Sequence, residues 1–366
     1  MKSILENAEK HVNYAEEEDF GKARIAVIGV GGAGNNTINR LHTLGVHGAE
    51  TIAMNTDRQH LDTIDADRKM LLGRELTEGL GAGGDPSVGL GAAEEDRRQI
   101  KELLEDQQLL FLAAGMGGGT GTGASPFIAK IAREMGILTI GVISLPFRME
   151  GDVRLKKAQA GLNMLRANCD TVVALDNNKL MALVPKQPVS YAFSVADEVL
   201  AEMVKGLSET ITQPSLVNLD FADIRAIMQD GGVAMIGVGE SNSTNRAEEA
   251  VAEALRNKLL DVDYTEAKGS LVHCSGGSDM KLYEANEVGE RVKKMVKKKD
   301  GRVIWGARID ENLKESMRVM IIMTGVKSPW VSGQVANNDG GTISFKQFSR
   351  KKKKTSYWPS FGLDSF

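Results

Sequence analysis

Five short apolar runs, at 24–28, 50–54, 108–114, 137–144 and 171–175, alternate with helical patterns at 35–44, 92–105, 124–135 and 152–167. That alternation dictates a doubly wound parallel sheet, because parallel neighbours must be joined by a crossover long enough to hold a helix. The runs are nearly continuous in apolar residues, as in Leu109-Leu110-Phe111-Leu112-Ala113-Ala114. A sheet covered by helices on both faces requires this. The fold class is α/β, and in such sheets ligands sit beyond the carboxyl ends of the strands.

Two of those ends carry glycine-rich loops: Gly29-Val30-Gly31-Gly32-Ala33-Gly34-Asn35-Asn36 and Gly117-Gly118-Gly119-Thr120-Gly121-Thr122-Gly123. Glycine lets backbone N–H groups approach an anion closely and accepts positive φ, so a glycine loop entering a helix makes a phosphate cradle. The first loop alone also satisfies the dinucleotide fingerprint Gly-x-Gly-x-x-Gly. The second is more specific. Seven residues of glycine and threonine cannot build core, and the following Ala124–Ile131 reads as a helix whose positive end faces the anion. Two cradles in one domain point to a polyphosphate ligand.

A long amphipathic segment comes next. Between Val189 and Ile211, the apolar residues Val189, Ala192, Phe193, Ala196, Leu200, Met203, Val204, Leu207 and Ile211 recur at helical spacing, predicting a largely buried strut. Beyond it, strands are expected at Val233–Val238, Leu271–Cys274, Val303–Ala307 and Val319–Thr324, with helices near 245–258 and 281–298. These read as a second, smaller α/β domain.

The chain has 366 residues, 42% of them hydrophobic, enough for two domains with sizeable cores. Its net charge of −4 argues against a nucleic-acid footprint. No apolar stretch reaches the roughly 18–20 residues of a spanning helix, and Met1–Phe20 is acidic, unlike a signal peptide. A cytoplasmic protein is expected. Cys169 and Cys274 form no CxxC pair, and His11, His42, His47, His60 and His273 lack ligand spacing, so no protein-bound metal is expected. The lysines of Val288–Asp300 read as a solvated helix face.

The Gly117–Gly123 run resembles the signature loop of the tubulin/FtsZ superfamily, with Thr122 more like FtsZ than eukaryotic tubulin. Asn55-Thr56-Asp57, Gly79-Leu80-Gly81-Ala82-Gly83, Pro146-Phe147-Arg148-Met149-Glu150-Gly151 and Asn218-Leu219-Asp220-Phe221-Ala222-Asp223 match further family motifs. The resemblance covers about residues 24–328, and Val217–Met235 is most similar to archaeal FtsZ proteins. It implies a GTPase domain over 21–188, a central helix over 189–211 and an activation domain over 212–330. An N-terminal arm over 1–20 and a flexible linker and tail over 331–366 flank them.

The family's ligand is GTP or GDP with Mg²⁺. The resemblance implies that Gly31, Gly32 and Asn36 line the α/β-phosphates and Gly121, Thr122 and Gly123 the β/γ end. Glu150 and Arg154 match its ribose-side pair, although four-residue spacing equally suits a surface ion pair. Phe193 and Asp197 match positions that stack on and hydrogen-bond guanine, although Phe193 by itself reads as core. Ala33, Gly34, Asn35, Asn55, Asp57, Ala82, Gly83, Gly115, Gly118, Gly119, Thr120 and Asn177 complete the nucleotide-binding set.

Asp220 and Asp223, with Asn218, are the candidate catalytic group. Aspartates at a helix start also serve as caps. The functional reading is that they orient a water against the γ-phosphate, since positioning and electrostatics supply most phosphoryl-transfer catalysis. From Asp197 to Ile211 a helix spans about 21 Å. The acids therefore must act on nucleotide held by a neighbouring subunit, in a head-to-tail contact that propagates as a filament. One departure stands out: Pro214-Ser215-Leu216-Val217 precedes Asn218 where the family usually has glycine, and serine tolerates positive φ poorly.

The tail carries Lys351–Lys354 with Tyr357, Trp358, Phe361 and Phe366. It resembles in layout the family's C-terminal peptide for membrane-tethering partners; an anionic-lipid segment and an inert end are the other readings. The leading function is a filament-forming GTPase of the division ring at the inner face of the membrane. The competitors are a nucleotide-dependent scaffold or cell-shape protein and an NAD-dependent oxidoreductase built on Gly29–Gly34. The last leaves Gly117–Gly123 unused.

Overall fold

The computed structural model describes residues 23–179, 186–213, 215–217, 219–256, 263–265, 267–296 and 301–327. The arm over 1–20, Asn218, Pro214, Lys297–Lys299 and the tail over 331–366 lie outside the described residues.

The first half alternates β1 (Ile25–Val30), α1 (Gly31–Leu44), β2 (Ala49–Asn55), α2 (Arg58–Asp62), β3 (Arg68–Leu71), α3 (Arg74–Thr77), α4 (Pro86–Glu95), α5 (Arg97–Leu104) and β4 (Leu109–Gly115). It continues with α6 (Thr120–Glu134), β5 (Leu138–Leu145), α7 (Asp152–Arg166) and β6 (Thr171–Asp176). After α8 (Val189–Thr212) come α9 (Phe221–Met228), β7 (Gly232–Ser241), α10 (Arg246–Leu255), β8 (Gly269–Gly276), α11 (Leu282–Met295), β9 (Arg302–Ile309) and β10 (Met317–Thr324).

The ten strands of the described residues form one sheet, ordered β3-β2-β1-β4-β5-β6-β7-β10-β8-β9. β1 to β6 pair in parallel, with Ile25 opposite both Ala49 and Leu109. β6 meets β7 over two residue pairs, Thr171 with Gly232 and Val172 with Val233. β10 lies antiparallel between β7 and β8. The strand order reverses between β1 and β4, which is the switch point where such sheets place ligands.

One core packs α4, α5, α6 and α7 on the first face of the parallel strands. The other face shares its core with the second half through Leu200, Met203, Val204 and Leu207 of α8, so that helix is the predicted strut. Phe193 departs from the strut's apolar stripe, being 42% exposed.

Three boundaries differ from the sequence expectation, each for a tertiary reason. The helix expected over 92–105 is two helices broken at Asp96, whose buried carboxylate accepts the Gly73 N–H at 2.6 Å. Burial raises the pKa of that carboxyl. The first of them, α4, is started by Pro86 at the first helical position and by Asp85, which accepts the Ser87 N–H at 2.8 Å. The helices after the two glycine loops begin at Gly31 and Thr120 rather than 35 and 124. Close approach of neighbouring backbone accounts for both: a Cβ on Gly31 would stand 2.9 Å from the Gly121 nitrogen and one on Gly123 2.0 Å from the Pro86 carbonyl oxygen, so glycines sit in these first turns for packing rather than to break the helix.

Candidate functional site

β1 and β4 deliver the starts of α1 and α6 to one place. The residues preceding these helices are Val30 and Gly119, neither of which makes a side-chain cap, and neither first turn holds an acidic residue. Their first N–H groups and positive dipole ends are therefore left for an anion. The loops touch: Gly31 has φ of +72°, and a Cβ on it would stand 2.9 Å from the Gly121 nitrogen. Only glycine fits both demands.

The cleft so formed is lined by Gly32, Ala33 and Asn36 of α1, by Gly115 at the end of β4, and by Gly118, Gly119, Thr120 and Gly121. Glu150, Arg154, Asn177, Phe193 and Asp197 line it as well. Glu150 pairs with Arg154 at 2.9 Å and accepts the Phe147 N–H at 2.7 Å, so the ion pair and the cleft position coexist. Phe147 stands edge-on to Phe193 at 5.2 Å between ring centroids, leaving Phe193 held upright but exposed. Asn177 is 5% exposed, and its Oδ1 has no hydrogen-bond partner. A buried acceptor without a donor is costly, and a ligand hydroxyl or N–H would satisfy it.

Asp197 is half-buried, and that burial pushes its carboxyl up to about 7, partly offset by a hydrogen bond from Asn36. It is thus poised to ionise fully against a ligand that brings donors.

The remaining candidates stand behind the lining. Thr122 is fully buried and its hydroxyl accepts the Gly117 N–H at 2.8 Å, closing the loop. Gly34 packs on the Ala113 carbonyl, where a Cβ would lie at 2.3 Å, and Gly123 on Pro86. Ala82 abuts Gly119, while Gly83 has φ of +55° in open space. Asn35 donates to the Gly29 and Met54 carbonyls and accepts from Asn55. Asn55 in turn accepts the N–H groups of Thr56 and Asp57, and Asp57 caps α2 by accepting the His60 N–H.

Asp220 and Asp223 do not line this cleft. Asp220 caps α9, its carboxylate accepting the Asp223 N–H at 2.7 Å. Capping therefore occupies one of its oxygens. Their loop is pinned by a two-way backbone bridge between Val217 and Ala307. Ser215 does not adopt positive φ, so the missing glycine is accommodated without strain at that residue.

Sequence reasoning missed Met116 and Ser144, which also line the cleft. Ser144 lies near the carboxyl end of β5, and the strand-end rule alone would have found it. His60, set aside for lack of ligand spacing, contacts Asn36 and Asn55. By contrast His273 is a core residue, and burial pushes it down to about 4.

A doubly wound sheet with two uncapped helix starts at its switch point defines a nucleotide-binding class. Residues 24–185 match the tubulin/FtsZ family GTPase domain and residues 232–327 the FtsZ family C-terminal domain. Cell division protein FtsZ 2 of Methanocaldococcus jannaschii is 51% identical over 343 residues, 92% of this chain and 90% of that protein. Cell division protein FtsZ 1 of Thermococcus kodakarensis is 52% identical, covering 84% and 82%. The solved FtsZ dimer of M. jannaschii superposes with a TM-score of 0.79 at 48% identity, covering 88% and 91%. CetZ2 of Haloferax volcanii, at 22% identity and a TM-score of 0.72, shares the fold. The chain belongs to the FtsZ family of tubulin-like GTPases, most similar to its archaeal members. Its function is that of a cytoskeletal GTPase of cell division.

Proposed function

We propose that the chain binds GTP and GDP in the β1/β4 cleft, polymerises head-to-tail, and hydrolyses GTP only across the contact between subunits. On this reading Gly31, Gly32, Asn36 and Gly121 receive the phosphates, with Thr122 and Gly123 closing the loop behind them at the β/γ end, Glu150 and Arg154 take the ribose, and Phe193 and Asp197 the guanine. Asp220, Asp223 and Asn218 approach the γ-phosphate of the next subunit. One observation carries it: Phe193 and Asp197 line the cleft, whereas the acids follow the far end of the same unbroken helix. From Asp197 to Thr212 that helix spans about 22 Å. The dimer reported for the M. jannaschii relative supports self-association.

Mg²⁺ fits such a site as a cation carried by the phosphates. It needs only one or two protein oxygens, and no group of three His, Cys, Asp or Glu forms a cage among the described residues. When bound it would neutralise charge on the β- and γ-phosphates. Among the described residues no helix is long and apolar enough to cross a membrane. Placement at the division site, on the cytoplasmic face of the membrane, is thus assigned to partners that the tail would bind.

The test is GTPase rate per molecule against protein concentration, beside light scattering, for the wild type and Asp223→Ala. A threshold in the wild type, with a mutant that assembles but scarcely hydrolyses, is expected. A rate per molecule independent of concentration would overturn the shared site.

A further inference from the structure

His60 joins two parts of the site that the sequence keeps separate. Its Nδ1 lies 3.2 Å from Asn55 Nδ2, and its Nε2 lies 3.2 Å from Asn36 Oδ1. The proton positions follow from the fixed ends of this chain. Asn55 Oδ1 already accepts the N–H groups of Thr56 and Asp57, at 2.9 and 3.3 Å. Its amide nitrogen, a donor only, must therefore face the ring. Nδ1 then has to accept, which places the proton on Nε2 and makes that atom a donor to Asn36 Oδ1. With its oxygen so engaged, the Asn36 amide is left with its nitrogen to offer to the cleft, which Asp197 lines with it. The anchor is rigid, because Asn55 is 3% exposed and its nitrogen also donates to Asn35.

We infer that His60 is a positioning residue for base selectivity: in its Nε2–H tautomer it locks the Asn36 amide so that Asp197 presents both oxygens to the base edge of a guanine nucleotide. The inference deepens the proposed function and rests on Asp197 being the guanine acceptor. Guanine offers two donors on that edge, N1–H and the 2-amino group, and a carboxylate held in one plane can meet both. Hypoxanthine lacks the amino group. A carboxylate free to rotate keeps the single contact and loses the paired one, so removing His60 should act on guanine more than on hypoxanthine.

The experiment measures equilibrium binding of fluorescent GDP and IDP to full-length wild type, His60→Leu, His60→Gln and Asp197→Asn. Sites built to hydrogen-bond a donor reject analogues lacking it strongly, so the wild type should prefer GDP by about tenfold or more. In His60→Leu that preference should fall to within about threefold, with IDP binding retained as the sign that the site is folded. His60→Gln, whose amide nitrogen can donate to Asn36 as Nε2 does, should restore it. An unchanged ratio in His60→Leu, whether affinities hold or drop together, would overturn the positioning role while leaving the guanine reading intact. A wild type that binds GDP and IDP alike, matched by Asp197→Asn, would instead sink the reading of the cleft and the inference with it.

Discussion

Guanine recognition by Asp197 has a pH signature whose size follows from its surroundings. Burial pushes this carboxyl up to about 7 in the ligand-free protein, and the donors of guanine need the ionised form. With that value, about one-eleventh of the protein is ionised at pH 6 and about ten-elevenths at pH 8, so GDP affinity should rise about tenfold, or about 1.4 kcal/mol, across the interval. The terminal phosphate also titrates near pH 6, which is why the same titration is needed for Asp197→Asn: it keeps the phosphate term and loses the carboxyl one. Stability of the free protein should slope the other way. A raised carboxyl favours the folded state below the unfolded pKa, near 4, and that contribution is lost as pH rises to about 7. Fluorescence titration gives the first slope and thermal melts of wild type against mutant the second. Equal pH dependence of GDP binding in wild type and Asp197→Asn would refute the reasoning.

Two further predictions concern folding. Arg246 and Glu284, with side chains 8% and 7% exposed, pair at 2.7 Å, and the exposed Asp279 joins Arg246 at 2.7 Å; Arg246→Leu strands the buried Glu284 carboxylate and should lower stability by about 3–5 kcal/mol in denaturant titration. A loss below about 1 kcal/mol would contradict that burial. The neighbouring glycines of the first loop should separate cleanly: Gly34→Ala puts a Cβ 2.3 Å from the Ala113 carbonyl and should unfold or strongly destabilise the protein. Gly32→Ala meets nothing within 4 Å, so its melting temperature should hold while GDP affinity falls, because the added methyl enters the cleft.

The parts of the fold set by local pattern were legible in the sequence. Continuous apolar runs marked β1, β2, β4, β5 and β6, and helical spacing marked α8 from Val189 through Ile211. The glycine loops also announced the cleft, because their composition admits few other uses. What the sequence hid depends on distant partners. β3 is four residues with Arg68 and Lys69 exposed, too short and too polar to stand out before β2 pairs with it. The break at Asp96 requires Gly73 to be nearby. Nothing local distinguishes Thr122, whose hydroxyl closes a loop, from Thr120, which lines the cleft. His60 has no spacing to betray it, since Asn36 and Asn55 reach it only through the packing of α1 and β2.

The narrow seam between β6 and β7 has a mechanical meaning. Two residue pairs, Thr171 with Gly232 and Val172 with Val233, turn what would be two sheets into one, and the Thr171 hydroxyl ties to the Met228 carbonyl at the end of α9. Pull applied to one side of the molecule therefore travels through covalent strands and backbone hydrogen bonds rather than through a slack tether. The shared core around Leu200, Met203, Val204 and Leu207 of α8 backs this seam, so the two halves are joined by packed side chains as well as by paired backbone. Stress entering one half therefore has two parallel routes into the other, one through the backbone ladder and one through the packed core.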